Sequence, residues 1–106
     1  MLFVETSAFT KHLPAHLDDD AYAALQAFLG EQPNAGPVIR GSGGIRKIRW
    51  GSKGRGKRGG IRVIYYWRVP EACIYLFTLY GKGVRDDLTP GELAAWRCAV
   101  EAIDHE

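Results

Sequence analysis

Lysine, arginine and tyrosine are the side chains of this sequence whose clustering could do chemistry. Across Lys53–Gly60 the run KGRGKRGG sets four cations among four glycines, and IRVIYYW follows at once, adding Arg62, Tyr65 and Tyr66. Ten of the 14 Lys and Arg residues lie between Arg40 and Arg68, and no Asp or Glu occurs from Gln32 to Pro70. A net charge of +2 therefore conceals a strongly positive middle flanked by acidic ends. Such polarisation is the footprint of a surface that binds a polyanion. Trp50, Tyr65, Tyr66, Trp67 and Tyr80 are interleaved with the cations, and exposed aromatics stack on unpaired bases. For Trp50 and Trp67, packing in the core is the expected role.

The size of the electrostatic effect follows from counterion release. If about five cations meet the phosphates of a single strand, the salt slope is about −3.5, and affinity falls roughly 100-fold between about 50 and 200 mM salt. Catalysis needs more than binding. RNA can be cut without a metal when the 2′-OH attacks its own phosphate, given a base for that hydroxyl, an acid for the 5′-oxygen and cations for the charged transition state. Lys and Tyr are the available proton carriers, and crowded cations lower a lysine pKa from its reference of about 10.4.

Other chemistries fit less well. Gly54-x-Gly56-x-x-Gly59 matches the dinucleotide fingerprint, and Gly51-x-x-x-x-Gly56-Lys57 approaches a P-loop. Both need a helix after the last glycine, whereas a strand-like run follows, and Arg58 stands where the P-loop needs Ser or Thr. His12 and His16 have the i, i+4 spacing of zinc pairs, but Pro14 lies between them and no third ligand stands out, so they read as surface residues. Asp18, Asp19 and Asp20 read as a helix start rather than a metal site. Cys73 and Cys98 form no C-x-x-C pair and read as small buried hydrophobes. No metal or cofactor is expected. The N-terminus lacks the pattern of a secretory signal, and no run of 18 apolar residues exists, so the chain reads as cytoplasmic and not membrane-spanning.

These residues need elements to position them. With 106 residues the chain is long enough for one domain. Leu2–Glu5 reads as a short strand. Thr6 or Ser7 caps a helix through Phe9 and Leu13, which Pro14 interrupts. Asp18 caps a second helix with an apolar stripe of Tyr22, Leu25, Phe28 and Leu29, ended by Gly30 and Pro33. After a Gly/Pro connection come strands at 45–50, 61–67 and 73–80, the last two joined by a tight turn. Alternation places Lys47 and Arg49 on one face, opposite Ile48 and Trp50. It places Arg62, Ile64 and Tyr66 opposite Val63, Tyr65 and Trp67. Both faces of that strand are partly apolar, as for a sheet covered on one side and lined by ligand on the other. Thr89, Pro90 and Glu92 form a capping box for a final helix with a stripe of Leu93, Trp96 and Val100. The expected class is α+β: a mostly antiparallel sheet, with N-terminal helices and a C-terminal helix packed on it.

Three stretches, GSGGIRKIRW, GKRGGIRVIYYW and YLFTLYGKGVRDDLT, resemble the HigB branch of the RelE/ParE toxin superfamily of bacterial type II toxin–antitoxin systems. The similarity runs over nearly the whole chain, and the KRGG-x-R-x-IYY block followed by LY-x-K is its most specific part. The resemblance implies a RelE-like fold and an mRNA interferase: an endoribonuclease that enters the ribosome, cuts the exposed mRNA codon without metal and so inhibits translation. It also implies a cognate antitoxin protein as partner, with the free toxin a monomer. By position, Arg62 matches the arginine that stabilises the phosphate in the transition state. Lys47 and Arg49 match the basic pair on the preceding strand, and Lys82 matches a basic position after the last strand. Lys57 and Arg58 belong to the loop of the HigB branch, and Lys53 and Arg55 extend its RNA-binding charge. RelE carries a further arginine where this chain has Gly83, and a stacking tyrosine near Asp87-Leu88, which moves that role to Tyr80 or Tyr65. The expected catalytic set is Arg62, Lys82, Lys57 and Tyr80; the expected RNA-binding set is Lys47, Arg49, Lys53, Arg55, Arg58 and Tyr65. The alternatives are a ParE-like inhibitor of DNA gyrase and a non-catalytic RNA-binding module.

Overall fold

The computed structural model describes residues 1–51, 60–81 and 87–105. Strand β1 (Leu2–Glu5) leads into helices α1 (Ser7–His16) and α2 (Asp19–Glu31). Strands β2 (Ile45–Trp50), β3 (Ile61–Arg68) and β4 (Cys73–Gly81) follow, and α3 (Pro90–Asp104) ends the order. The four strands form one sheet in the order β1-β4-β3-β2. β2, β3 and β4 are antiparallel neighbours, and β1 lies parallel to β4. The chain is thus α+β with a mostly antiparallel sheet, as the patterning implies. No helix among the described residues is long and apolar enough to cross a membrane.

Local chemistry explains the helix boundaries. Thr6 caps α1, its Oγ1 accepting from the Phe9 N–H at 3.1 Å. Asp18 caps α2 through the Ala21 N–H at 2.8 Å, and Asp19 and Asp20 fill its first turn, where the helix dipole favours acids. Thr89 and Glu92 close the capping box of α3 in both directions, at 3.1 and 2.9 Å. One expectation changes: α1 runs on through Pro14 to His16. In the last turn a proline forfeits a single intrahelical bond, and the helix still closes with Leu17 N–H donating to Leu13 C=O at 3.0 Å. The β3–β4 turn is a short 3-10 segment, Val69–Glu71, followed by Ala72 at φ 48°.

Two apolar layers hold the sheet. On one face Phe9, Leu25 and Leu29 from the helices pack with Ile48, Val63, Tyr65, Ile74, Leu76 and Leu79. Trp50 and Trp67 pack against the same layer, Trp50 with its ring 5.2 Å from that of Phe28, so both are core aromatics. On the other face α3 applies Val100, Leu93, Trp96 and Ile103 to Ile45, Ile64, Phe77 and Tyr80. Trp96 stacks on Phe77 at 4.7 Å. The second face is therefore covered by a helix over its middle. A ligand surface on this face is left to the strand ends. Cys73 is buried, but Cys98 is exposed, contrary to expectation, because it points away from the stripe that α3 lays on the sheet.

Candidate functional site: a cationic row at the sheet end

The pairing of the strands sets three side chains in one row. Arg49 on β2 is the register partner of Arg62 on β3, and Arg62 is the partner of Tyr80 on β4. Directly opposed residues on an antiparallel pair project to the same face with Cβ atoms about 4.5–5.5 Å apart. One step inward, Lys47, Ile64 and Thr78 form the next row on that face. The row Trp50, Ile61, Gly81 marks the sheet end beyond it.

Arg62 is the anomaly of the fold. It is 3% exposed, and its Nη1 is buried with no hydrogen-bond partner among the described residues. A buried donor left unsatisfied costs about 1–3 kcal/mol. A second guanidinium directly opposite adds to that, since like charges opposed across strands are destabilising. A cation held in this way is poised for an anion. Guanidinium suits a phosphate because its planar fork offers parallel donors to two oxygens. Arg49 is exposed, and Tyr80 is 5% exposed beside Arg62. Lys47 forms an ion pair with Asp87.

Gly60 stands just before β3, against the end of β2. A Cβ there would sit 2.0 Å from the Trp50 carbonyl oxygen, so only glycine permits the close approach. The expected site residues Lys53, Arg55, Lys57 and Arg58 fall between β2 and β3, and Lys82 follows β4; all five lie outside the described residues. Trp50 and Ile61, which bracket the first segment, and Gly81, which precedes the second, form the row next to Arg49, Arg62 and Tyr80 at the sheet end.

Tyr65 is a correction. It was expected to meet RNA, but it is fully buried on the opposite face, in the layer under α1 and α2. Its hydroxyl accepts from the Gly36 N–H at 3.0 Å and donates to the Pro33 carbonyl at 2.9 Å. Burial pushes its pKa up. The residue pins the connection after α2 to the sheet, and its ring is closed to a base. Arg46 is also structural, its Nη1 donating to the Gly36 and Asn34 carbonyls at 2.7 and 3.1 Å. His16 is half-buried rather than a free surface group. Its ring lies near Gly81, and burial first, then the charge of His12, lowers its pKa. Among the described residues no group of three or more His, Cys, Asp or Glu side chains is placed to hold a metal ion.

The strand after the glycine-rich segment, β3, leaves no helix N-terminus for a nucleotide pyrophosphate, in keeping with the rejection of both nucleotide motifs. Among the described residues, Asp87 contributes an ion pair to Lys47 that the sequence pattern does not reveal. It is 40 residues from Lys47 and carries no motif. Compared with models of known protein families, the chain matches none.

Proposed function

We propose that this chain is the toxin of a type II toxin–antitoxin pair, of the HigB branch of the RelE/ParE superfamily: a ribosome-dependent, metal-independent endoribonuclease acting on mRNA in the cytoplasm. The observation that carries the reading is Arg62, a buried guanidinium whose Nη1 has no partner among the described residues, flanked by Arg49 and Tyr80 in a single row. A gyrase inhibitor or another protein-binding role gives no reason to hold two arginines opposed with a buried donor open. A phosphodiester does.

In this reading the RNA 2′-oxygen attacks the adjacent phosphorus, the bond to the 5′-oxygen breaks, and a 2′,3′-cyclic phosphate and a free 5′-hydroxyl form. Arg62 hydrogen-bonds the non-bridging oxygens, whose charge rises in the transition state. Arg49 and Lys47 neutralise neighbouring phosphates. The proton leaves the 2′-OH and reaches the 5′-oxygen through Tyr80 and the lysines Lys57 and Lys82, the proton carriers of the set. A cognate antitoxin covers the acid-free surface when the toxin is idle.

The test is primer extension on a reporter mRNA after brief induction of the wild type, Arg62→Ala and Lys82→Ala. Codon-phased cuts within translated regions, lost in the variants, are expected. Growth arrest with intact mRNA and loss of supercoiling would replace the reading with gyrase inhibition. Intact mRNA with normal growth would leave an RNA-binding module.

A further inference from the structure

The ion pair between Lys47 and Asp87 joins the cationic face to an acid far along the chain. Lys47 belongs to the acid-free span and sits one row from Arg49 and Arg62 on their face. Asp87 stands two residues before Thr89, the N-cap of α3, and its neighbour Leu88 packs on the layer beneath that helix. Capping and packing thus hold the acid's backbone near the site.

The two partners are unequally placed. The Lys47 side chain is 27% exposed and is carried by a strand, whereas that of Asp87 is 70% exposed. An exposed carboxylate returns to water at little cost, and the lysine stays where it is. We propose that Asp87 is an internal stand-in for a substrate phosphate: it occupies Lys47 in the free protein, gives way to the RNA backbone, and so sets the affinity of the site. The inference rests on the anion-site reading of Arg49 and Arg62 and adds to it the residue that regulates that site. A pair this exposed is worth little on its own, so the exchange lies in favour of a phosphate chain that also meets the arginines. Asp87 therefore acts as a threshold. Ligands with one phosphate gain little by displacing it, and a polymer recovers the loss at several contacts.

The experiment is a fluorescence-anisotropy titration of a labelled ten-nucleotide single-stranded RNA into wild type, Asp87→Asn, Lys47→Ala, the double variant and Arg62→Ala. Folding of each variant is checked by circular dichroism. Asp87→Asn should tighten binding about two- to fivefold at about 50 mM salt, the range an exposed ion pair supplies. The gain should be absent in the Lys47→Ala background. Wild type must break the exposed Lys47–Asp87 pair before Lys47 meets a phosphate, and salt weakens that pair, so the gain should shrink as salt rises from about 50 to about 200 mM. If Asp87→Asn binds no tighter than wild type while Arg62→Ala binds weaker, Asp87 is a surface pair only and the inference falls, with the anion site intact. If the gain persists without Lys47, Asp87 acts as general negative charge and the inference falls as well. If wild type and Arg62→Ala bind alike, the anion-site reading fails and takes this inference with it.

Discussion

Replacing Arg62 by methionine should make the protein more stable and abolish its function. Methionine keeps much of the length and volume of the arginine stem and removes the buried donor. The Nη1, which has no partner among the described residues, costs about 1–3 kcal/mol. Facing Arg49 across the strand pair costs a further ~0.2–1 kcal/mol. Against these stands the loss of whatever the other guanidinium nitrogens gain, so the net expectation is a stabilisation of about 1–3 kcal/mol. Replacement of buried ionic groups by apolar ones of similar volume gives changes of this sign and size. A domain of this length shifts its melting temperature by roughly 4 °C per kcal/mol, so Arg62→Met should melt about 4–12 °C higher. Thermal denaturation followed by circular dichroism reads the first effect, and RNA binding and codon-phased cleavage read the second. Arg62→Lys separates charge from fork: it should keep weak binding and lose cleavage. A methionine variant that melts below wild type would refute the reasoning. It would mean that Arg62 is satisfied by its surroundings and serves the fold, and the main argument for an anion site would go with it.

Three further outcomes follow from the same contacts. Tyr65→Phe leaves the Gly36 N–H and the Pro33 carbonyl without their partner, and should lower the urea-unfolding free energy by about 1–3 kcal/mol while mRNA cleavage persists. Thr6→Val removes the hydroxyl that caps α1 and that donates to the Phe77 carbonyl at 2.6 Å; a loss of about 1–3 kcal/mol is expected in the same assay. Tyr66 has its pKa pushed up to about 12 by burial and by its hydrogen bond to Asp104. The folded state therefore holds this proton more tightly than the unfolded chain. The stabilisation is complete below about pH 10 and is lost as pH rises toward 12, so Tyr66→Phe should show a shallower fall in urea midpoint across that window.

Much of this architecture is legible in local sequence because its signals are local. Thr6, Asp18 and the Thr89–Glu92 box start their helices where capping chemistry requires, and period-two alternation assigns Lys47, Arg49 and Arg62 to the faces they occupy. What escapes is set by contacts between distant segments. Nothing near Leu2–Glu5 announces a parallel pairing with β4. Alternation separates Tyr65 from Arg62 in the run IRVIYYW, but that its face is sealed, with the hydroxyl held by Gly36 and Pro33, depends on segments 29 and 32 residues away. The second sheet face reads as open to ligand until α3 is seen to cover its middle. Asp87 is invisible for the same reason, since its partner lies 40 residues away.

The position of Tyr80 shows how far a single local irregularity reaches. Along β4, strict alternation from Tyr75 and Phe77 would carry Leu79 to the α3 face and send Tyr80 to the other side. The register instead skips a residue: Ile64 pairs with Thr78, but Tyr65 pairs with Leu76, leaving Phe77 extra. A bulge of this kind re-phases the strand after it. Leu79 enters the layer under α1 and α2, and Tyr80 joins Arg62. The backbone at the bulge is held from outside the sheet pair, since the Thr6 hydroxyl donates to the Phe77 carbonyl and the Thr6 N–H donates to that of Leu76. The Phe77 ring is held in turn by Trp96 of α3. One threonine at the start of α1 and one tryptophan on α3 thus fix the phase of the strand that sets a tyrosine beside the buried arginine. The first helix and the last helix, neither of which contributes a side chain to the cationic row, both determine its composition.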